Sequence, residues 1–340
     1  MSTPSYDVAG IGNAIVDIIG RCDDAFLAKH GCAKGSMQLT DAAGIKRLYD
    51  AMGPAVEISG GSVANSMVGI ASFGGKGGFI GRVADDEFGR IFAHDIKASG
   101  ITFAGKPVAG TLPTSRSLIL VTPDGERTMN TFLGISTNMD AGALDADMIK
   151  GAGIVYLEGY LFDLPDAKAA FHKAADLAKS AGRQVALSLS DGFCVDRHRA
   201  EFLSLIKDKV DILFANESEI TALYQTTSFD DAARRTATDT KLAALTRSAK
   251  GSVILGQGQQ IVVPVEPVAK VVDTTGAGDL YAAGFLFGIA RGLGLEVAGK
   301  LLLHRPELGG VEARAELALD HLAERLGHGL GAGRGGGGSG

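Results

Sequence analysis

From Gly151 onward, short apolar runs at 154–157, 185–189 and 212–215 alternate with alanine-rich stretches of helical length such as 167–181. Runs of four or five mostly apolar residues suit a strand buried on both faces, and a helix between two such strands sets them parallel. Repetition of that unit predicts an α/β fold whose central, mostly parallel sheet is flanked by helices. A sheet covered on both faces needs a large core, and 46% hydrophobic residues in 340 supply one. No long polar linker divides the chain, so one large domain with an appendage is expected. The text before Gly151 differs. Val8 to Ile11 reads as a buried strand ending in a glycine turn, Ile15 to Ile19 continues apolar, and two extended runs between Arg116 and Thr131 flank Pro123-Asp124-Gly125, a hairpin signal. A second hairpin is expected at 252–255 and 260–263 around Gln257-Gly258.

The charge balance removes several functions. A formal net charge of -6, with Lys and Arg scattered rather than striped, provides no field for a phosphate backbone, so no nucleic-acid partner is expected. Three cysteines, Cys22, Cys32 and Cys194, form no C-x-x-C pair and suggest neither a disulfide framework nor a zinc site, which fits a reducing cytoplasm. The seven histidines form no ligand-spaced cluster. The first residues lack the basic-then-apolar pattern of a secretory signal, and no apolar run reaches the length of a membrane span, so no membrane partner is expected.

The chemistry concentrates at Asp273-Thr274-Thr275-Gly276-Ala277-Gly278-Asp279, which precedes the apolar helical run 280–290. Glycines at a helix start let backbone N–H groups converge on an anion, and the helix dipole adds positive potential. A carboxylate one residue past that nest is placed to take a proton from a hydroxyl while the nest steadies a phosphoryl group. In isolation, G-A-G-D would equally serve as a capped helix start. Gly60 and Gly61 allow close backbone approach to a ligand, and Asn65 offers both a donor and an acceptor. Asn216-Glu217-Ser218-Glu219 after the strand at 212–215 has the spacing of a capping box, and the same oxygens suit a hydrated Mg²⁺.

Together these segments resemble the ribokinase-like, or phosphofructokinase-B-type, carbohydrate kinase family. The heptapeptide 273–279 is similar to its C-terminal signature, and Gly60-Gly61-Ser62-Val63-Ala64-Asn65 to its N-terminal glycine pair with asparagine. Gly74-Gly75-Lys76, Phe79-Ile80-Gly81 and Asp85-Asp86-Glu87-Phe88-Gly89 also resemble its pattern, and the likeness runs from about Tyr6 to Lys300. It implies a ribokinase-like sheet with a small β-rich lid, the lid drawn from segments near 12–45 and 105–135 of a kinase domain spanning 1–300. It implies ATP with Mg²⁺ and leaves a monovalent cation open, with Asp273 in the relevant loop. By resemblance Asp279 is the catalytic base, with Gly276, Ala277 and Gly278 as the anion nest. Asn13, Asp17, Gly60, Gly61, Ser62 and Asn65 would bind the acceptor, Arg116 (and after it Arg127) would close over it from the lid, and Asn216 and Glu219 would hold Mg²⁺ through water. Thr246, Ser248 and Gly251, with Thr275, Gly276 and Gly278, would contact ATP.

Rival readings are weaker on the residues. Gly10-Ile11-Gly12 opens like a dinucleotide fingerprint, but the third glycine position is Ile15, and no G-x-x-x-x-G-K-[ST] is present. A catalytically silent ligand-binding protein on the same fold is the other alternative. Gly60 to Ser66 and Arg116-Ser117-Leu118 are similar to the adenosine-kinase branch, which implies a nucleoside acceptor, adenosine first, phosphorylated at its 5′-hydroxyl; a free sugar or sugar acid such as ribose, fructose or 2-keto-3-deoxygluconate is the alternative. Met37, Leu39, Leu118 and Leu133 are then expected to wall a purine slot. The chain is expected to act as a monomer or homodimer. After Lys300 the resemblance stops: 301–326 reads as an atypical segment that weakens nucleotide binding, and the glycine-rich 327–340 as a disordered tail.

Overall fold

The computed structural model describes residues 3–110, 112–265 and 276–301. Numbered along the chain, its strands are β1 (Tyr6–Ile11), β2 (Ile15–Arg21), β3 (Met37–Leu39), β4 (Ala55–Gly60), β5 (Gly77–Ile80), β6 (Thr102–Phe103), β7 (Ser115–Val121), β8 (Arg127–Phe132), β9 (Ala152–Glu158), β10 (Gln184–Ser188), β11 (Ile212–Asn216), β12 (Leu242–Thr246), β13 (Ser252–Gly256) and β14 (Gln259–Val263). Among the described residues they form two sheets. The larger has the order β14-β13-β12-β11-β10-β9-β1-β5-β6, the smaller β3-β8-β7-β2-β4. In the larger sheet every pair from β6 to β12 is parallel, and the last two pairs, β12–β13 and β13–β14, are antiparallel.

Alternation of side chains splits the parallel strands between two cores. Ala9, Ile11, Val155 and Leu157 pack with Phe171 and Phe202 on one face, whereas Val8, Ile154 and Tyr156 pack with Met67, Phe92 and Phe285 on the other. Helices Pro165–Ser180 and Gly192–Lys209 cover the first face, and Ser62–Ser72, Glu87–Ala98 and Ala277–Ala290 the second. Each fully buried aromatic side chain contributes about 1.5–3 kcal/mol. The order of strands reverses at β1, which lies between β5 and β9. Ligand sites in open α/β sheets form at such a reversal, outside the carboxyl ends of the strands.

The smaller sheet is the appendage, and it draws β4 as well as the two segments expected from sequence. One of its faces, with Val16, Ile18, Leu118, Leu120 and Phe132, belongs to the second core. The opposite face carries Ile19, Ile58 and Ile119 and looks across the carboxyl ends of the large sheet. Both expected hairpins form, with Gly125 at φ 87° in one turn and Gln257 and Gly258 at φ 55° and 72° in the other. The segment from 302 to 340, with its expected atypical stretch and glycine tail, lies outside the described residues, as do Asp273 and Thr275.

Candidate active site

A cavity of about 450 Å³ opens at the strand reversal, within the usual range for small-molecule sites. The carboxyl ends of five parallel strands or the residues just beyond them reach it: Asn13, Glu158, Ser188, Asn216 and Thr246. The lid contributes Asp17, Met37, Leu39, Ile119, Arg127 and Met129.

Asp279 sits in the first turn of helix Ala277–Ala290, three residues after Gly276. Gly276 adopts φ 76°, the left-handed region that a side chain disfavours, and among the described residues no side chain caps this helix start. The first N–H groups of a helix suit an anion at such a start. Across the cavity floor, Ser62 Oγ donates to Asp279 Oδ1 at 2.7 Å and Asn65 Nδ2 donates to Oδ2 at 3.1 Å. Two signatures more than two hundred positions apart in sequence thus meet on one carboxylate. Asp279 faces the cavity, partly exposed, and desolvation by the surrounding protein pushes its carboxyl up to about 6 against the opposing pull of the Ser62 and Asn65 donors.

Gly61, at φ 103°, is the N-cap of helix Ser62–Ser72 and has no side chain to satisfy the first N–H groups. Glu158 does so from the end of β9: Val63 N donates to Oε2 at 3.0 Å, while Asn13 donates to Oε1 from its Nδ2 at 2.6 Å. Glu158 is 1% exposed, and burial pushes it up to about 7, with the Asp279 charge adding to the rise and the Val63 and Asn13 donors opposing it. Sequence reading missed Glu158, because a single acidic residue ending an apolar strand carries no motif. Asn13 lines the cavity, but its amide is engaged at both ends, with Ser136 Oγ donating to Oδ1 at 2.7 Å.

The remaining sequence candidates divide. Asp17 lines the cavity from β2, and a Cβ on Gly60 would run into its carboxylate, so Gly60 backs Asp17 instead of lining the site itself. Thr246 lines the cavity; Ser248 and Gly251 do not. Arg116 is placed on the wrong face of the lid for the expected role. It pairs in register with Phe132, so both point into the core, and its guanidinium lies 4.7 Å from the centre of the Phe88 ring. Leu118, two residues on, is likewise fully buried in the core and not a cavity wall. Ser117, Ile119 and Arg127 present the cavity face in their place, as strand alternation requires.

Asn216 and Glu219 line the cavity as a reciprocal cap: Glu219 N donates to Asn216 Oδ1 at 2.8 Å, Asn216 N to Glu219 Oε2 at 2.9 Å, and Asn216 Nδ2 to Oε1 at 2.6 Å. Burial pushes Glu219 up to about 7, helped by the Asp191 charge and opposed by the Asn216 N–H. Among the described residues no group of three His, Cys, Asp or Glu side chains could ligate a metal. Each Glu219 oxygen keeps a second lone pair, which suits a metal-bound water.

Residues 52–301 match the pfkB family carbohydrate kinase family. The structure resembles that of adenosine kinase from Sinorhizobium meliloti, with a TM-score of 0.80 and 52% identity over 87% of this chain and 91% of that one. It equally resembles a probable sugar kinase protein from Rhizobium etli CFN 42, at TM-score 0.80 and 48% identity over 88% and 91% of the two chains. Probable fructokinase-6, chloroplastic, of Arabidopsis thaliana is 33% identical over 250 residues, 69% of this chain but only 63% of the plant protein's length. The fold and site define an ATP-dependent phosphotransferase that acts on a sugar or a nucleoside. The chain belongs to the pfkB family of carbohydrate kinases. Among the described residues no helix is long and apolar enough to cross a membrane.

Proposed function

We propose that the chain phosphorylates the 5′-hydroxyl of a nucleoside, adenosine first, with Asp279 as the base. The observation that carries the reading is the two-part lining of the cavity. Beside Asp279 the lining is polar, with Asp17 and Asn65; Met37, Leu39, Ile119, Met129 and Leu133 add an apolar part to the same cavity. A ribose offers hydroxyls to the first part and a purine offers a flat apolar body to the second. The Sinorhizobium meliloti adenosine kinase, 52% identical over most of both chains, supports the same substrate.

In this reading Asp17 and Asn65 orient the ribose and the lid's apolar residues exclude water. Asp279 accepts the 5′-hydroxyl proton as the oxygen attacks the γ-phosphorus of ATP and the bond to the bridging oxygen of ADP breaks. The uncapped N–H groups at Gly276 to Gly278 hold the transferring phosphoryl group, and Thr246 lies at the nucleotide end. Glu219 and Asn216 would help hold hydrated Mg²⁺, which would supply positive charge to the nucleotide phosphates.

A free sugar is the second reading, favoured by the Rhizobium etli likeness and by a polar floor that any polyol would satisfy. ADP release measured with adenosine, ribose and fructose at matched concentrations decides between them. Adenosine is expected to give the highest kcat/KM; a sugar exceeding it severalfold would remove the nucleoside assignment and leave the kinase.

A further inference from the structure

Helices Ser62–Ser72 and Ala277–Ala290 pack side by side, and at their N-terminal ends the contact is polar. Ser62, Asn65 and Ser66 share one helix face, as i, i+3 and i+4 positions do. Ser62 and Asn65 each donate to one oxygen of the Asp279 carboxylate, and Ser66 Oγ donates to the Asp279 carbonyl at 2.9 Å. The turn that carries them is itself pinned from β9 through the Val63 N–H bond to Glu158. An aspartate carboxylate rotates over a broad, roughly two-fold torsion unless it is held. One donor on each oxygen removes that rotation and leaves each oxygen a lone pair for an incoming hydroxyl.

We infer that Ser62 and Asn65 are positioning residues for the base, aiming the Asp279 carboxylate at the acceptor hydroxyl through one hydrogen bond to each oxygen. This rests on the reading of Asp279 as the base; it changes the role expected for Ser62, which was acceptor binding, and gives Asn65 base positioning through its Nδ2 beside the ribose contact proposed for it. No cation substitutes for the donors among the described residues of the packed elements. Helix Ser62–Ser72 carries no charged residue, β9 presents Tyr156 and Glu158, and the turn after it presents Tyr160. The Asp7–Arg291 pair belongs to the opposite end of the long helix, and Lys300 is paired with Glu296 on helix Leu295–Lys300. Asp17 and Arg127 belong to the lid wall of the same cavity.

The test is the pH profile of kcat and kcat/KM for the full chain and its Ser62→Ala variant, with the acceptor that ADP release selects. A hydrogen-bond donor favours the ionised carboxylate, so its loss moves the acid limb up from near 6 by about one pH unit. Loss of aim lowers the plateau kcat by about tenfold while acceptor KM stays within about twofold. Ser62→Thr, which keeps the hydroxyl, returns the limb; Ser62→Val, of the same shape without it, does not. The Thr and Val pair repeats the comparison should Ala unsettle the helix start. An unmoved acid limb with a raised acceptor KM would make Ser62 a substrate contact and overturn the inference, as would an unchanged profile. Asp279→Asn separates the premises: near-normal turnover there removes the base itself, whereas its loss beside an unmoved Ser62→Ala limb overturns positioning alone.

Discussion

Two corners of the cavity hold their carboxylates in opposite ways. Glu219 is closed by its own neighbour: both of its oxygens accept from Asn216, three residues back, in one helical turn. Asp279 and Glu158 are closed from afar, Asp279 by Ser62 and Asn65 and Glu158 by Asn13 and Val63. A local closure forms whenever its helix forms and needs nothing else from the fold. A long-range closure exists only after strands and helices have assembled, so its chemistry is tied to the finished tertiary structure. In the proposed reading the base is the long-range-closed Asp279, and the locally closed Glu219 has a supporting role.

The sharpest way to break the contrast is at the base. Asp279→Asn keeps the helix start and an acceptor oxygen but cannot take a proton, so turnover is expected to fall by roughly 10²–10⁴-fold with ATP binding retained. Steady-state kinetics and a nucleotide-binding titration check both halves. In the wild type the base must be ionised, and its carboxyl is raised to about 6, so kcat/KM is expected to rise with pH through about 6 to a plateau.

Glu158 sharpens the contrast in stability. Its folded-state value of about 7 lies above the ordinary 4.5, so the folded protein binds its proton more tightly than the unfolded chain does. The corresponding stability is complete below pH 4.5 and is lost as pH rises toward 7, at up to about 1.4 kcal/mol per pH unit for the one group. Glu158→Gln cannot ionise, and its stability curve between pH 4.5 and 7 should be flatter. Urea unfolding at pH 5 and pH 8 measures the difference, and parallel curves for the two proteins would mean that Glu158 titrates as it does in the unfolded chain.

What the sequence disclosed follows the same division. The parallel strands β9, β10 and β11 and both hairpins were legible, because apolar runs and turn residues act within a few positions. The Asn216–Glu219 box was legible for the same reason. β12 was not anticipated, since Leu242-Ala243-Ala244-Leu245 is alanine-rich and favours a helix locally; the parallel neighbour β11 makes it a strand. Arg116 and Leu118 were assigned to the cavity from resemblance, and the register that turns both into the core is set by pairing with β8, a property no single stretch contains. Glu158 left no trace because its partners are Asn13 and Val63, from β9's spatial neighbours and not its sequence neighbours.

The smallest expected effect is at Glu219, and it decides whether the local closure carries any chemistry. A cap alone predicts that Glu219→Gln costs on the order of 1 kcal/mol, because the N–H of Asn216 still finds an amide oxygen while Asn216 Nδ2 loses its acceptor. A carboxylate that also accepts from metal-bound water predicts something further, because the neutral amide attracts hydrated Mg²⁺ less. Outer-sphere partners of metals typically change affinity by roughly 10–100-fold when removed. With the protein's own cap already occupying one lone pair on each oxygen, the lower end applies, and the magnesium concentration for half-maximal activity should rise by about tenfold. The titration is run at saturating ATP, with thermal melting of the same samples to separate lost stability from lost metal. A melt that drops while the magnesium curve stays in place would confine Glu219 to capping, and the proposed site would then hold its metal by the nucleotide phosphates without this corner.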